Sequence, residues 1–346
     1  EYEGYAVKRV QDSTREELET WVAANAGAMR ERLPADFVFV NHVLMGGPVG
    51  AAVGAPYVVK AHGSELEYSM RGNAELSAWG QEALAGARAT IVGSEHIRHV
   101  LADVCGQTED VHEIPPGVDV ELWQPAPRDE ALAALLTECR KDPPNPGNVD
   151  ERLPDEGNAD RLAEFLAGDR PTVVYFGKLI ENKGVQILFE ALHGVEARAV
   201  IVGFGDYRAQ LERLAEGLDV LFTGPLEHRH LVHLLALADA AVVPSIFPEA
   251  FGMVAAEAAA AGCPPIVANH SGLAEIAQGL ERHYPAELRH LPPFATGDAD
   301  ELRAKLQEQL SLDPPERDAL RAAAREATVE LWSWTSVARR ILAVAT

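Results

Sequence analysis

Short apolar runs that end in glycine, serine or histidine alternate with helix-like stretches along most of this chain. Runs of four to eight apolar residues without polar alternation predict strands covered on both faces, as in a parallel sheet with crossover helices. In the first third, DFVFVNH (Asp36 to His42), PYVVKAHGSELEY (Pro56 to Tyr68) and ATIVGSEHIRHVL carry this signature, preceded by a short strand AVKRV and the helix of REELETWVAANAGAMRERL. Further on, ARAVIVGFGDYRAQLERLA and DVLFTGPLEHRHLVHLLALADAAVVP read as strand, glycine turn, helix, strand, loop, helix, strand. The fold class is therefore α/β, with two doubly wound, Rossmann-like halves.

The richest segment in chemistry is PEAFGMVAAEAAAAG, Pro248 to Gly262. Its alanine-rich run favours helix, Gly262 and Pro264 supply a stop, and the helix is expected to begin near Phe251. Its first N–H groups, those of Phe251, Gly252, Met253 and Val254, lack helical partners and carry the positive end of the dipole, so they can hold a phosphate. Glu249 before the helix and Glu257 within it flank that anion site. Carboxylates repel phosphate but accept hydrogen bonds from hydroxyls, which suits a ligand whose phosphate is joined to polyols on both sides. Taken alone, the segment fits an alanine-rich core helix with a capping acid equally well.

TVVYFGKLIENKGV, Thr172 to Val185, adds a strand ending at Gly177 and two lysines five positions apart, Lys178 and Lys183. Two cations there can meet one diphosphate and stabilise the charge that builds when it departs. Solvated lysines at a strand end are the alternative. Gly203 and Gly205 after an apolar strand permit a tight turn. His228, His230 and His233 lack a supporting cysteine or acid pattern in their spacing, so they are expected to be solvated on a polar helix face, with no metal.

At Glu249, Phe251, Gly252 and Glu257 the sequence resembles the family 4 glycosyltransferases, retaining enzymes of the GT-B fold whose hallmark is Glu, seven residues, Glu. Ala250 stands where proline is common, and Lys178 replaces the usual arginine, keeping the charge but losing the bidentate fork. Gly117, Val118 and Asp119 match the linking segment, with Pro116 in place of asparagine. The resemblance implies that His62 sits by the donor sugar and that the loop at Pro225 and Leu226 holds the nucleobase. It further implies that Lys178 and Lys183 hold the diphosphate, Glu249 binds sugar hydroxyls and Glu257 binds the ribose. Gly203 is expected to belong to the same donor site. The family's opening strand and glycine-rich loop are not found, since Gly46 and Gly47 follow what would be its third or fourth strand; they are expected upstream of Glu1 or omitted from the sequence.

Composition narrows the function classes. A formal net charge of −23 argues against a nucleic-acid surface and against broad adhesion to anionic lipid. Three scattered cysteines, an odd number, make a disulfide framework unexpected, and no apolar run reaches membrane-spanning length, so a reducing cytoplasm is the default location. The 346 residues, 47% of them hydrophobic, suffice for two cores. The expected division is 1–122 as a partial first domain, 123–170 as an interdomain segment with a mobile acidic insertion, 171–330 as the nucleotide-sugar domain, and 331–346 as a helix packing back on the first domain. The expected activity is metal-independent transfer of a sugar, with retention, from a nucleoside diphosphate, UDP first, to an acceptor hydroxyl in the cleft between the domains. Rivals are a non-catalytic sugar-nucleotide binding module and another GT-B enzyme such as an epimerase. The sequence does not address oligomeric state.

Overall fold

The structure, a computed structural model, describes residues 8–106 and 109–346. The chain forms two compact units, one built from Glu1–Pro116 with Val337–Thr346 and the other from Gly117–Ser336. The chain therefore leaves the first unit at Pro116 and returns to it at Val337, six residues away from each expected boundary. Within the second unit, the two crossing segments are tied by a bridge between Val118 and Ser333 and by hydrogen bonds from Val118 N to Trp332 O and from Trp334 N to Val118 O. That pairing joins residues more than two hundred positions apart, which local sequence pattern does not show.

The first unit holds a parallel sheet of β1 (Val38–Asn41), β2 (Tyr57–Lys60), β3 (Ala89–Val92) and β4 (Val111–Glu113), side by side in that order. Alternate residues feed separate cores. Val58, Ala89 and Ile91 face a layer completed by Ile114, Val337 and Ala345, while Tyr57, Val59 and Val92 face the other side with Leu66, Leu84 and Leu101. Both faces are covered, so the strands read as unbroken apolar runs. Of the expected opening strand, Ala6 and Val7 lie outside the described residues, and Val10 instead opens a 3₁₀ turn, Val10–Asp12. Thr14 and Glu17 then form a reciprocal cap that starts the helix Arg15–Arg30. Gly46 and Gly47 follow β1, the first strand among the described residues.

The second unit holds a six-stranded parallel sheet of β5 (Thr172–Phe176), β6 (Arg198–Val202), β7 (Val220–Phe222), β8 (Ala240–Val243), β9 (Pro265–Ala268) and β10 (Pro293–Phe294). Their spatial order is β10-β9-β8-β5-β6-β7. The chain winds outward from β5 through β6 to β7, then returns beside β5 as β8 and winds the other way. The reversal falls between β5 and β8, and the loops leaving those two strands meet beyond their carboxyl ends, where Ile246 N donates to Asn182 O (3.0 Å).

The acidic stretch expected to be a mobile interdomain loop is instead pinned to this second unit. Asn145 is buried, donating to the carbonyls of Asp150 (2.9 Å) and Pro154 (3.1 Å) and accepting from Asp150 N (3.1 Å). The Asp155 carboxylate, also buried, receives a bidentate pair from Arg208 at 2.8 and 2.6 Å, and its amide donates to Thr223 O (2.8 Å) at the end of β7. Proline, asparagine and acid here do not signal freedom: side-chain bonds replace the backbone ladder that the composition rules out. The flanking helices, Arg128–Cys139 and Asn158–Phe165, pack on each other, and the first also packs on the helix His228–Leu237. Among the described residues, no helix is long and apolar enough to cross a membrane.

Candidate active site

At the point where the second sheet reverses, the loop after β5 and the loop after β8 bring together two of the expected residues. Lys183 closes the 3₁₀ turn Glu181–Lys183, and its Nζ lies 2.5 Å from Glu249 Oε1. The pair is neither buried nor free, with side chains 31% and 22% exposed. An incoming anion can therefore reach the ammonium, and hydroxyls can reach the carboxylate. Lys178 is exposed, and among the described residues no ion pair joins it to Glu249. Its backbone is fixed, since Tyr175 OH donates to Lys178 O at 2.8 Å.

The helix after Glu249 runs Met253–Ala260, two residues later than expected, with Gly252 as its N-cap. Gly252 takes φ +117°, and a Cβ there would meet Leu273 Cδ2 at 2.7 Å, so glycine is required both for the turn and for packing. The amides of Ala255 and Ala256 both turn back to Gly252 O. Among the described residues, the N–H groups of Met253 and Val254 make no hydrogen bond and remain available to an anion. Phe251 contributes backbone only, because its ring is buried edge-on against Trp332, 5.9 Å between centroids.

Glu257, one turn into the helix, is half-buried among alanines. Burial pushes its carboxyl up to about 7, and among the described residues no cation or donor brings it down. Among the described residues the carboxyl oxygens have no hydrogen-bond or ion-pair partner.

The remaining expected donor residues have structural duties. Gly203 at the end of β6 has φ +143°, and a Cβ there would lie 1.8 Å from Gly177 O, so this glycine lets the ends of β5 and β6 close on each other. Leu226 is buried in the core of the unit, which leaves only its backbone to line a loop.

In the first unit, His62 lies two residues past β2, and its Nε2 donates to Asn41 Oδ1 (3.1 Å) at the end of β1. Burial first, then the neighbouring His42 and Lys60, bring its pKa down to about 4, so the ring is neutral at pH 7. His42, whose ring centroid lies 4.5 Å away, takes φ +72°, a conformation rare for any residue but glycine. Beneath both lies Glu65, buried, accepting from the amides of Val43 (2.6 Å), Leu44 (3.1 Å) and His62 (3.3 Å). Sequence reading singled out His62 alone of this group. A polar pair, Asn41 and His42, ending an apolar strand was the available signal.

The three histidines of the helix His228–Leu237 are not all solvated as expected. His230 is fully buried rather than solvated, with Nδ1 accepting from Glu227 N (3.2 Å) and Nε2 donating to Asp142 Oδ1 (3.0 Å). The acid and cysteine that the helix's own spacing lacks are supplied by Cys139 and Asp142 of another segment, within 4.8 Å. Nδ1 accepts a hydrogen bond, so the ring proton sits on Nε2, the atom a cation would need. Burial also pushes the Cys139 thiol up to about 12, and Arg229 already pairs with Asp142 at 2.5 Å. The group is a hydrogen-bonded clasp between helices.

Two sequence profiles match the chain, "Glycosyltransferase Family 4" over residues 4–122 and "Glycosyl transferases group 1" over residues 158–327. The chain belongs to the family 4 glycosyltransferases. A GDP-mannose-dependent α-(1-6)-phosphatidylinositol monomannoside mannosyltransferase of Mycobacterium tuberculosis is 28% identical over 263 residues, covering 72% of this chain and 59% of that protein. The chain thus spans about three-fifths of that relative's length. A GDP-mannose-dependent mannosyltransferase of Corynebacterium glutamicum, acting on a monoacylated phosphatidylinositol monomannoside, is 26% identical and covers 86% of this chain and 72% of its own. Among solved structures, Anabaena HepE with UDP and glucose aligns at a TM-score of 0.68 and 19% identity, covering 96% of this chain and 82% of its own. The family 4 assignment and these neighbours make the fold GT-B.

Proposed function

We propose that this family 4 chain transfers a sugar, with retention and without a metal, from a nucleoside diphosphate to an acceptor hydroxyl. The observation that carries the reading is the Lys183–Glu249 pair at the reversal of the second sheet, set beside the free N–H groups of Met253 and Val254. When the bond between the sugar's anomeric carbon and the phosphate oxygen breaks, negative charge grows on the departing diphosphate. Lys183, Lys178 and the helix N–H groups are suited to receive it. The acceptor oxygen bonds to the anomeric carbon on the face the phosphate leaves, and its proton passes to an oxygen of that phosphate. Glu249 is suited to sugar hydroxyls, and Glu257 to the ribose. His62, neutral at pH 7, serves as a hydrogen-bonding partner of substrate rather than as a charge.

The two named relatives use GDP-mannose, so GDP-mannose takes precedence over a UDP-sugar as the donor to test. The test is release of nucleotide and transfer of sugar from GDP-mannose and UDP-glucose in the presence of EDTA. Turnover of one donor is expected to survive chelation. Turnover lost with EDTA and restored by manganese would remove the metal-free reading. Nucleotide-sugar binding without turnover would favour a non-catalytic binding module.

A further inference from the structure

The glutamate of the candidate site is held by more than its lysine. Its amide donates to Ser271 Oγ (2.9 Å), and its carbonyl accepts from Gly272 N (3.0 Å). Ser271 Oγ lies 2.9 Å from His270 Nδ1, and His270 Nε2 lies 2.7 Å from Ser245 O. The direction of every bond follows from chemistry. A carbonyl oxygen only accepts, so His270 carries a proton on Nε2; in the neutral ring Nδ1 is a lone pair, and Ser271 donates to it. The hydroxyl's oxygen is thereby turned to accept from Glu249 N–H. His270 and Ser271 thus tie both ends of the segment Ser245–Glu249, and Gly272 adds a backbone bond to the same glutamate.

Ser271 also stands in a conformation that its own backbone disfavours, φ +47°. Glycine would take that angle without steric cost, whereas a serine there carries strain that only a compensating contact sustains. The compensating contact is the hydroxyl bond to Glu249 N and His270.

We propose that His270 and Ser271 are positioning residues for Glu249, their directed hydrogen-bond chain fixing its backbone so that its carboxylate is in place when the donor bond breaks. This inference rests on the glycosyl-transfer reading above. It makes an unusual demand on one substitution: Ser271→Gly removes the hydroxyl and relieves the strained angle at once. Folding and catalysis should therefore move in opposite directions.

The experiment compares wild type, Ser271→Gly, His270→Gln and His270→Asn in three measurements: thermal unfolding, calorimetric affinity for GDP and for UDP, and kcat and KM with the donor that wild type turns over. For Ser271→Gly the expected result is a Tm at or above wild type, nucleotide affinity within about twofold, and kcat lower by about tenfold to a hundredfold. His270→Gln keeps a donor toward Ser245 O but loses the acceptor for Ser271, and should follow it. His270→Asn keeps that acceptor and should retain more kcat than the glutamine variant. Wild-type kcat in Ser271→Gly would overturn the proposal, as would a kcat loss that merely tracks a fall in Tm or in nucleotide affinity. Absence of turnover in wild type itself would overturn the underlying reading, and this proposal with it.

Discussion

Two carboxyls eight positions apart in this chain live in opposite environments, and that contrast determines what each can do. Glu249 meets an ammonium at 2.5 Å, while Glu257 meets alanine and has its pKa raised to about 7. A carboxyl whose folded pKa exceeds its unfolded value binds its proton more tightly in the folded state, so its contribution to stability falls as pH rises from about 4.5 to about 7. Glu257→Gln, a neutral isostere, is therefore expected to raise Tm at pH 8 and to leave it nearly unchanged at pH 5. The same variant should bind nucleoside diphosphate more weakly at pH 8, because ribose hydroxyls donate to the ionised form. Thermal unfolding at the two pH values and calorimetry with the bare nucleotide check both halves. Equal Tm shifts at pH 5 and pH 8 would contradict the burial argument.

At the scale of elements, the strands were legible in the sequence and the ties between them were not. VVY in β5 and VIV in β6 are buried on both faces, so composition alone marks them as strands. The start of the helix at Met253 was likewise readable to within two residues from its glycine and alanines. By contrast, Ser271 meets Glu249 across 22 positions and His230 meets Asp142 across 88, through side chains that no periodicity forces together. The acidic stretch after the helix Arg128–Cys139 was misread because loop composition does not reveal that an aspartate is buried with an arginine. Its contribution is measurable. Asp155→Ala leaves the Arg208 guanidinium without its bidentate partner in a partly buried place, and is expected to lower the unfolding free energy by about 3 kcal/mol. Urea unfolding reads this directly, and an unchanged midpoint would mean that the segment is a dispensable surface loop.

For the whole molecule, the sheet order of the second unit decides where chemistry belongs. Lys183 and Glu249 come from different loops, 66 residues apart in sequence, and meet because β8 returns beside β5. The chain carries a net charge of −23, so the ammonium at that reversal is a local exception to a field that otherwise repels anions. The family hallmark was readable as a string of residues. Its meaning as a site required the winding of the sheet, which separates what the motif contributes from what merely packs, such as the ring of Phe251 and the side chain of Leu226.

We propose that Glu249 acts on the sugar in transit rather than on the nucleotide. Contacts made only in the transition state lower turnover when removed, whereas uniform binding contacts raise KM. The decisive measurement is kcat for sugar transfer by Glu249→Gln, taken beside its calorimetric affinity for the nucleoside diphosphate of the active donor. Turnover is expected to fall by about two orders of magnitude with nucleotide affinity nearly intact. Turnover at the wild-type level, or nucleotide affinity abolished by this one substitution, would contradict it.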